Sequence, residues 1–181
     1  MSKLIVQDKI EIELRGEVEV VFRSLDGTPG EVLVMKNHIS DSAIDVLLGL
    51  LARDIEAKIV STISVGTGGD INPATGLDTG ARFPPQDTEE TMRQPIFDAP
   101  IAHIEKDLIN KRIIYTAVLK TEAGNSDSIN ELGLLSEDGT MLSHFVTPAD
   151  PGLGGRAKRY EKTNLLYMVV RWRLIPAIRR S

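Results

Sequence analysis

Cysteine is absent from the 181-residue sequence, which excludes disulfides, thiolate nucleophiles and zinc sites built on cysteine. Aromatic residues are scarce at 4%, so little material exists for the aromatic platforms that commonly bind sugars. No apolar run approaches the length of a membrane span, and we expect no membrane partner. The first six residues lack the apolar core of a signal peptide, because Gln7, Asp8 and Lys9 follow at once. We therefore expect no export by that route.

Positive charge is in the minority, with 21 Lys and Arg against 26 Asp and Glu and a net charge of −5. Neutralising phosphates needs a surplus of basic residues, so nucleic acid is not an expected partner. Hydrophobic residues make up 41% of the chain and charged residues 26%, which is typical of a globular domain with its own core. We expect an N-terminal strand or arm over residues 1–15, a single β-rich domain over 16–175 and a basic C-terminal tail over 176–181.

Alternation of apolar and polar residues predicts most of the secondary structure as strands. Residues 10–14 alternate in this way and indicate a first half-buried strand. A hairpin is predicted over residues 16–36, where an Asp-Gly and a Pro-Gly pair supply turn chemistry. A second hairpin is predicted over residues 129–146 around another Asp-Gly pair. Further strands are expected over residues 58–65, 95–104, 111–121 and 165–174.

One helix and one long loop interrupt this pattern. Apolar residues recur at three- and four-residue spacing from Ile44 to Ile55, which predicts an amphipathic helix over about 41–56. Ser40 or Asp41 can cap its N terminus. The loop over residues 66–94 is about twice as long as the usual upper limit for a connection, so we expect it to be functional or held by a partner.

The order of these elements predicts the fold class. Seven to nine strands, one helix and frequent turn signals are typical of a mainly β protein. We expect an antiparallel β-sandwich or a barrel-like domain, with one amphipathic helix and a long loop.

Residues that could carry catalysis do not form a recognisable pattern. His38, His103 and His144 lack the helical spacing of a zinc site, and we interpret them as surface or internally satisfied histidines. Glu89 and Glu90 are adjacent, so their side chains do not face each other and a solvated loop is the favoured interpretation. No Gly-x-Ser-x-Gly elbow is present. We predict no catalytic residue and no enzyme activity.

The glycine-rich stretch at residues 66–69 follows a predicted strand and invites comparison with a phosphate-binding loop. No Lys-Ser/Thr pair and no helix pattern follow it, so an irregular loop is favoured. Asp70, Asn72 and Asp78 could offer oxygen ligands to calcium, but the glycine and glutamate of a calcium-binding loop are missing, and Asx turns explain the same residues. We predict no cofactor and no metal site.

Charge is distributed unevenly along the chain, with many glutamates in the first quarter and basic residues in the last. Such asymmetry can steer contacts between subunits, although it also suits solvated faces or contact with packaged DNA or acidic glycans. We favour complementarity between subunits. The basic residues are Arg156, Lys158, Arg159, Lys162, Arg171, Arg173, Arg179 and Arg180.

Three segments stand in a fixed order along the chain. The first joins the hairpin at 16–36 to the sequence N-H-I-S-D-S-A at residues 37–43, the entry to the helix. The second is I-S-V-G-T-G at residues 63–68, followed by the loop. The third is I-N-E-L-G-L-L-S-E-D-G-T-M-L at residues 129–142, followed by a late strand that carries Trp172. In this order, over most of the chain, they resemble a class of structural proteins from tailed-bacteriophage virions.

The resemblance implies a non-enzymatic virion structural protein, assembled in the host cytoplasm. It implies a homo-oligomer that contacts other virion proteins in the tail, baseplate, collar or fibre attachment region. A capsid decoration or cement protein is an alternative, and a receptor- or glycan-binding module is an alternative of another class. The resemblance carries no catalytic residue over to this chain.

Assembly would also explain the long loop and the uneven charge. We therefore expect contacts between subunits in the loop, the N-terminal strand and the basic C-terminal end. The candidate subunit-contact residues are Gly66, Gly68, Gly69, Asp70, Asn72, Asp78, Arg82, Arg156, Arg159, Arg179 and Arg180.

Overall fold

The computed structural model describes residues 10–51 and 59–180. Residues 1–9 of the predicted N-terminal strand or arm lie outside the described residues, as does Ser181. The same holds for residues 52–58, which include the predicted end of the helix and the first residue of the strand expected over 58–65.

Eight antiparallel strands close into a barrel. The prediction of a mainly β fold with one helix is confirmed, and of the two predicted architectures the structure has the barrel. The barrel strands are β1 (Ile10–Ser24), β2 (Pro29–Ile39), β3 (Val60–Gly66), β4 (Pro95–Asp107), β5 (Arg112–Leu119), β7 (Glu131–Ser136), β8 (Met141–Val146) and β12 (Leu166–Arg180). Their order around the barrel is β1-β12-β5-β4-β3-β7-β8-β2.

The core fills the interior of the barrel through the period-two alternation of its strands. Val18 pairs with Trp172, and Val20 with Val170, across β1 and β12, and all four are buried in one cluster. Burying a side chain of this kind contributes roughly 1.5–3 kcal/mol. Trp172 thus lies in the core and not on a surface where it could bind a sugar.

Two short ribbons lie outside the barrel sheet. β6 (Ser126–Ile129) pairs with β11 (Tyr160–Lys162), and β9 (Ala149–Asp150) pairs with β10 (Arg156–Ala157). A single 3-10 turn, Pro151–Leu153, lies between β9 and β10. Tyr160 stacks on Phe22 with ring centroids 6.1 Å apart, so the β6–β11 ribbon packs against the core at one end of the barrel.

The helix α1 (Asp41–Leu51) lies at the opposite end, directly after β2. Ala43 is buried, and the Ser40 hydroxyl donates to the Met141 carbonyl oxygen at 2.7 Å. This bond fixes the start of α1 against β8. No helix within the described residues is long and apolar enough to cross a membrane.

The observed strands depart from the predicted ones in two informative places. β1 runs through Gly16 without interruption, and β12 continues to Arg180, beyond the predicted end at Leu174. Gly16 is needed for space, because a Cβ there would lie 1.7 Å from Asn37 Oδ1. The glycine therefore accommodates a neighbouring side chain on β2 and does not end a strand.

Candidate functional site

The long loop, residues 67–94 between β3 and β4, folds over the outer surface of the barrel. Its two ends meet, since Thr67 N donates to the Gln94 carbonyl oxygen at 2.9 Å. In between, its Glu90 carbonyl oxygen accepts from Met141 N at 2.8 Å, at the start of β8. Met92 packs with Leu135 and Met141 in a small second apolar cluster. The loop is thus held along β7 and β8 by its own chain.

The strands beneath this loop place charged residues on their outer faces. Leu132 and Leu134 of β7 belong to the barrel core, so Glu131 and Gly133 alternate to the outside. Glu131 is nevertheless fully buried, because the loop covers it. His144 of β8 is opposite Gly133 in the register and is also fully buried.

His144 lies between two carboxylates. Its Nδ1 is 3.1 Å from Glu89 Oε2, and its Nε2 is 2.9 Å from Glu131 Oε1. A protonated imidazole donates from both ring nitrogens, which is what two flanking carboxylates require. Glu89 belongs to the long loop and Glu131 to β7, so the histidine of β8 joins the loop to the barrel.

Arg93 completes this group, which we call the buried ion network (Glu89, Arg93, Glu131 and His144). Its Nε donates to Glu89 Oε1 at 2.6 Å, and its Nη2 donates to Glu89 Oε2 at 3.0 Å, a bidentate pair. Its Nη1 donates to the Phe83 carbonyl oxygen at 2.7 Å, and the guanidinium lies 5.1 Å from the centroid of the Phe83 ring. Two carboxylates and two cations balance the charge of the network.

Backbone amides satisfy the remaining oxygens of Glu131. Its Oε1 accepts from Arg93 N at 2.9 Å, and its Oε2 accepts from Gly68 N at 3.1 Å and Gln94 N at 3.2 Å. A Cβ on Gly68 would lie 2.4 Å from Glu131 Oε2, so only glycine lets the backbone approach this closely. The glycine-rich stretch therefore holds a carboxylate of its own chain.

The pKa values of the network follow from burial and hydrogen bonding together. Burial alone would raise the pKa of Glu89, but hydrogen bonds from His144 and Arg93 outweigh it and lower that pKa to about 2. Burial likewise opposes ionisation of Glu131, yet its bond to His144 lowers the pKa below the usual range. Burial disfavours the imidazolium, whereas Glu131 and Glu89 raise the pKa of His144 above 6.5. Each of these shifts favours the charged form of its group.

A second polar cluster holds the first part of the loop against β10. Asp70 is buried, and its Oδ1 accepts from Ala157 N at 2.6 Å. Arg156 Nη1 lies 3.5 Å from Asp70 Oδ2 and 2.8 Å from Asp78 Oδ2. The hydrogen bond from Arg156 lowers the pKa of Asp78. Asp70 and Asp78 thus face arginines and a backbone amide, which is a structural arrangement.

Among the described residues, no group of three or more histidine, aspartate or glutamate side chains is arranged to hold a metal ion. Asp70 and Asp78 share Arg156, while the Asn72 Oδ1 accepts from Ala74 N at 2.9 Å in a local turn. The loop conformation at these three residues is accordingly explained by contacts within the chain.

The structure separates the candidate subunit-contact residues into two groups. Four of them are buried by the chain itself: Gly66, Gly68, Gly69 and Asp70. Five others lie at or near the surface: Asn72, Asp78, Arg82, Arg156 and Arg159. For the last two, Arg179 and Arg180, the structure describes the backbone position.

Among the surface group, Arg82 has a defined role within the chain. Its Nε donates to the Thr147 carbonyl oxygen at 2.7 Å, and its Nη2 donates to that of Val146 at 3.2 Å. Arg156 and Arg159 approach Asp70 from the surface. Arg179 and Arg180 stand opposite Glu11 and Ile10 in the register of β12 and β1. Their contacts with other subunits stay a prediction.

The sequence patterns missed the buried ion network. The interpretation of Glu89 as a solvated loop residue is wrong, since it is 7% exposed. His144 is internally satisfied, one of the two outcomes expected for the histidines. One signal was present, because Glu131 and His144 sit in strands whose other residues are almost all apolar or small, where an ionisable side chain requires a partner.

Comparisons of this chain with protein-family models, with curated proteins and with solved structures found no match. The chemistry of the site must therefore be argued from its geometry. The buried ion network is closed to solvent at His144 and Glu131, and their polar atoms are engaged with each other and with the loop. What this arrangement does is fix a long loop rigidly on a barrel.

Proposed function

We propose that this chain is a non-enzymatic structural protein that assembles as a homo-oligomer in the virion of a tailed bacteriophage. Its place in the particle is the tail, baseplate, collar or fibre attachment region. The observation that carries the assembly part of this proposal is a two-stranded ribbon that β1 and β12 form beyond the barrel.

The ribbon is defined by where the neighbouring strands stop pairing. β2 accompanies β1 only as far as Gly16, which pairs with Asn37, and β5 accompanies β12 only as far as Leu174, which pairs with Ile113. β1 and β12 remain paired to each other out to Ile10 and Arg180. Among the strands that the structure describes, none pairs with either outer edge of this ribbon.

An isolated two-stranded ribbon is marginally stable in water, and unpaired edges are liable to pair with other chains. Contact with a neighbouring subunit would cover those edges. Apolar groups beside the ribbon favour the same conclusion. A cleft of about 230 Å³ runs between the ribbon and α1, and it is lined by Leu14, Val46, Leu47, Tyr115, Leu174 and Pro176 among others.

The absence of catalysis in this proposal rests on how the ionisable side chains are used. Among the described residues, His144 and the two glutamates beside it most resemble an acid–base centre. Both nitrogens of His144 are bonded within the chain, and the side chain is fully buried. A substrate would have to displace the loop to reach them.

The virion part of the proposal rests on the resemblance of the three ordered segments. The fold is compatible with it, because the hairpin of β1 and β2 leads directly into α1 and the third segment forms β7 and β8. A test is quantitative mass spectrometry of particles purified from cells that carry the gene. A fixed copy number per particle is the expected result, and absence from particles would overturn the virion assignment.

The same measurement separates the alternatives within the virion. A few copies per particle favour the tail, baseplate, collar or fibre region, whereas hundreds of copies favour a capsid decoration protein. A glycan-binding role has less support, because Trp172 is fully buried and is not available as a sugar platform.

A further inference from the structure

The turn between β4 and β5 exposes two aliphatic side chains at its apex. Leu108 is 84% exposed and Ile109 is 92% exposed, the two highest values among the large apolar residues that the structure describes. Turns usually carry glycine, proline, asparagine, aspartate or serine, because those residues suit the bent backbone. Two adjacent aliphatic residues at an apex are instead what a contact with another molecule would use.

Hydrogen bonds to Asp107 fix the shape of this turn. Asn110 N donates to Asp107 Oδ1 at 3.0 Å, and Asn110 Nδ2 donates to Asp107 Oδ2 at 2.8 Å. Arg112 Nε donates to the same Oδ2 at 2.9 Å from the other side of the turn. The two aliphatic side chains therefore project from an ordered apex, and little conformational entropy of the backbone would be lost when they bind.

The apolar cleft between the ribbon and α1 opens at the same end of the barrel as this turn. Ile113 follows the turn directly in β5 and lines the cleft, as does Leu174, its partner on β12. Val46 and Leu47 line the cleft from α1. Ile59, a further lining residue, is 55% exposed, so the cleft is open to solvent. Its volume of about 230 Å³ exceeds the roughly 150 Å³ of an apolar cavity that holds benzene, so aliphatic side chains fit.

The charges around the turn and the cleft are complementary. Lys106 and Lys111 flank the aliphatic pair and are exposed, and the ion pair inside the turn cancels its own charge. The helix α1 carries Asp41 and Asp45, both exposed, and no basic residue. A basic apex that enters the cleft therefore meets an acidic helix beside it, which favours the encounter.

We propose that the turn between β4 and β5 of one copy inserts Leu108 and Ile109 into the apolar cleft of a second copy. The inference rests on the proposed function, since it names one interface of the homo-oligomer. Because the turn and the cleft lie at the same end of the barrel, a two-fold axis lets each copy insert its turn into the cleft of the other. Leu14 and Pro176 of the ribbon line the same cleft, so this contact would also cover part of the ribbon.

Because the chain has no cysteine, cross-linking between two single-cysteine chains tests this contact on the full-length protein. Ile109→Cys is co-expressed with a tagged Val46→Cys chain, and a short bis-maleimide reagent is added. We expect a product at the combined mass of the two chains under denaturing conditions. A tagged Val118→Cys chain replaces Val46→Cys in the matched control, since Val118 is a valine on β5 with 41% exposure. We expect no product of combined mass from that pair.

A second variant measures the same contact without a reagent. Leu108→Lys places a charge at the apex of the turn, where it would have to enter an apolar cleft. We expect the native mass to fall while the circular dichroism spectrum stays that of the parent. Leu25→Lys is the control, because Leu25 is 68% exposed in the turn between β1 and β2, at the other end of the barrel. This control should keep the mass of the parent.

The outcomes separate this contact from the proposed function. If the parent chain is oligomeric but Ile109→Cys does not cross-link to Val46→Cys and Leu108→Lys keeps the parent mass, the contact is wrong and the proposed function stands. If the parent chain is a monomer, the homo-oligomer itself is overturned. If the parent sediments with vesicles of anionic phospholipid and Leu108→Lys abolishes only that binding, the apex meets a lipid surface and the inference is overturned. Cross-linking of Ile109→Cys to Val46→Cys supports the inference even if Leu108→Lys fails to fold.

Discussion

Single side chains with ionisable groups determine how the long loop is attached. Glu131 is buried with three backbone N–H donors and one ring nitrogen around its two oxygens. Such a carboxylate tolerates burial because every oxygen is hydrogen-bonded and a cation lies beside it. Removing one member of the network leaves the other charges buried without a partner. The resulting loss of stability is larger than the cost of replacing the whole network by apolar residues.

His144→Phe is the most direct test at the scale of one residue. Loss of the imidazolium leaves Glu89 and Glu131 buried beside an apolar ring, and we expect a loss of roughly 3–5 kcal/mol in the free energy of unfolding. His103→Phe is the control, because His103 lies exposed on β4 and should change stability by less than about 0.5 kcal/mol. Urea unfolding of both variants measures the difference. Equal effects would show that the network does not support the fold.

The pH dependence of stability follows from the same groups. The pKa of Glu89 is about 2 in the folded chain against 4.5 unfolded, which corresponds to about 3 kcal/mol at neutral pH. That contribution is complete above pH 4.5 and is lost as the pH falls toward 2. His144 has a raised pKa, so its contribution is complete below pH 6.5 and is lost as the pH rises through the folded value.

The network should therefore stabilise the protein most between about pH 4.5 and 6.5. The difference in unfolding free energy between the parent and His144→Phe, measured from acid to alkaline pH, should be largest in that window. A difference that keeps growing above pH 7 would mean that His144 is neutral in the folded protein.

At the scale of elements, a glycine-rich strand end and a loop fit together closely. Gly68 lies where a Cβ would be 2.4 Å from Glu131 Oε2 and 2.6 Å from the Arg93 Cβ. We expect Gly68→Ala to cost roughly 1–3 kcal/mol, because the loop must move away from β7. Limited proteolysis should then cut within residues 67–94 faster than in the parent.

Gly152→Ala provides the comparison for that experiment. Gly152 lies in an exposed 3-10 turn, and a Cβ there would meet only a carboxylate oxygen of Asp150, at 3.1 Å. This variant should leave proteolysis of residues 67–94 at the rate of the parent. Should Gly68→Ala behave in the same way as Gly152→Ala, the close approach of Gly68 to Glu131 would not be what fixes the loop.

The elements also show how far the sequence could be interpreted. Strands and the helix were predictable where local period decides, as in the hairpin of β1 and β2 and the start of α1 at Asp41. The pattern separates a strand over residues 10–14 from a hairpin that begins at residue 16, because the sequence does not reveal that Asn37 occupies the space above Gly16. The short ribbon β6–β11 joins residues far apart in the chain, and its strands of three and four residues are too short to show a period.

The candidate site was less predictable than the fold for a similar reason. Glu89 and His144 are separated by 55 residues along the chain, and no local pattern links them. The sequence favoured an irregular loop for the glycine-rich stretch at residues 66–69 and gave no sign that Gly68 N donates to Glu131 of the same chain. Burial of each charge depends on the path of the loop, and that path is set by contacts formed only after folding.

At the scale of the whole molecule, closure of the barrel depends on pairing between the first and last described strands. β1 and β12 align over their full lengths, from Ile10 with Arg180 to Ser24 with Leu166. On the outer face, Arg173 donates to both Glu17 and Glu19, and Arg171 donates to Glu19 at 2.5 Å. These cross-strand pairs match basic residues of the last quarter of the chain with glutamates of the first quarter within one subunit. The assembly proposal therefore depends on the ribbon of β1 and β12 more than on charge.

A charge exchange on these strands tests that conclusion. Glu19→Lys places like charges beside Arg171 and Arg173, and we expect about 1–2 kcal/mol of destabilisation with no change in the mass of the assembly. Glu105→Lys on exposed β4 is the control and should change the stability little. Dissociation of the assembly by Glu19→Lys, with the fold retained, would instead place this charged face at a contact between subunits.

The mass of the purified chain in solution tests assembly most directly. Light scattering over a range of concentrations should give a fixed multiple of the 19.9 kDa chain mass. A mass of 19.9 kDa for the parent chain at every concentration would contradict the account, because the ribbon of β1 and β12 would then be stable without a partner.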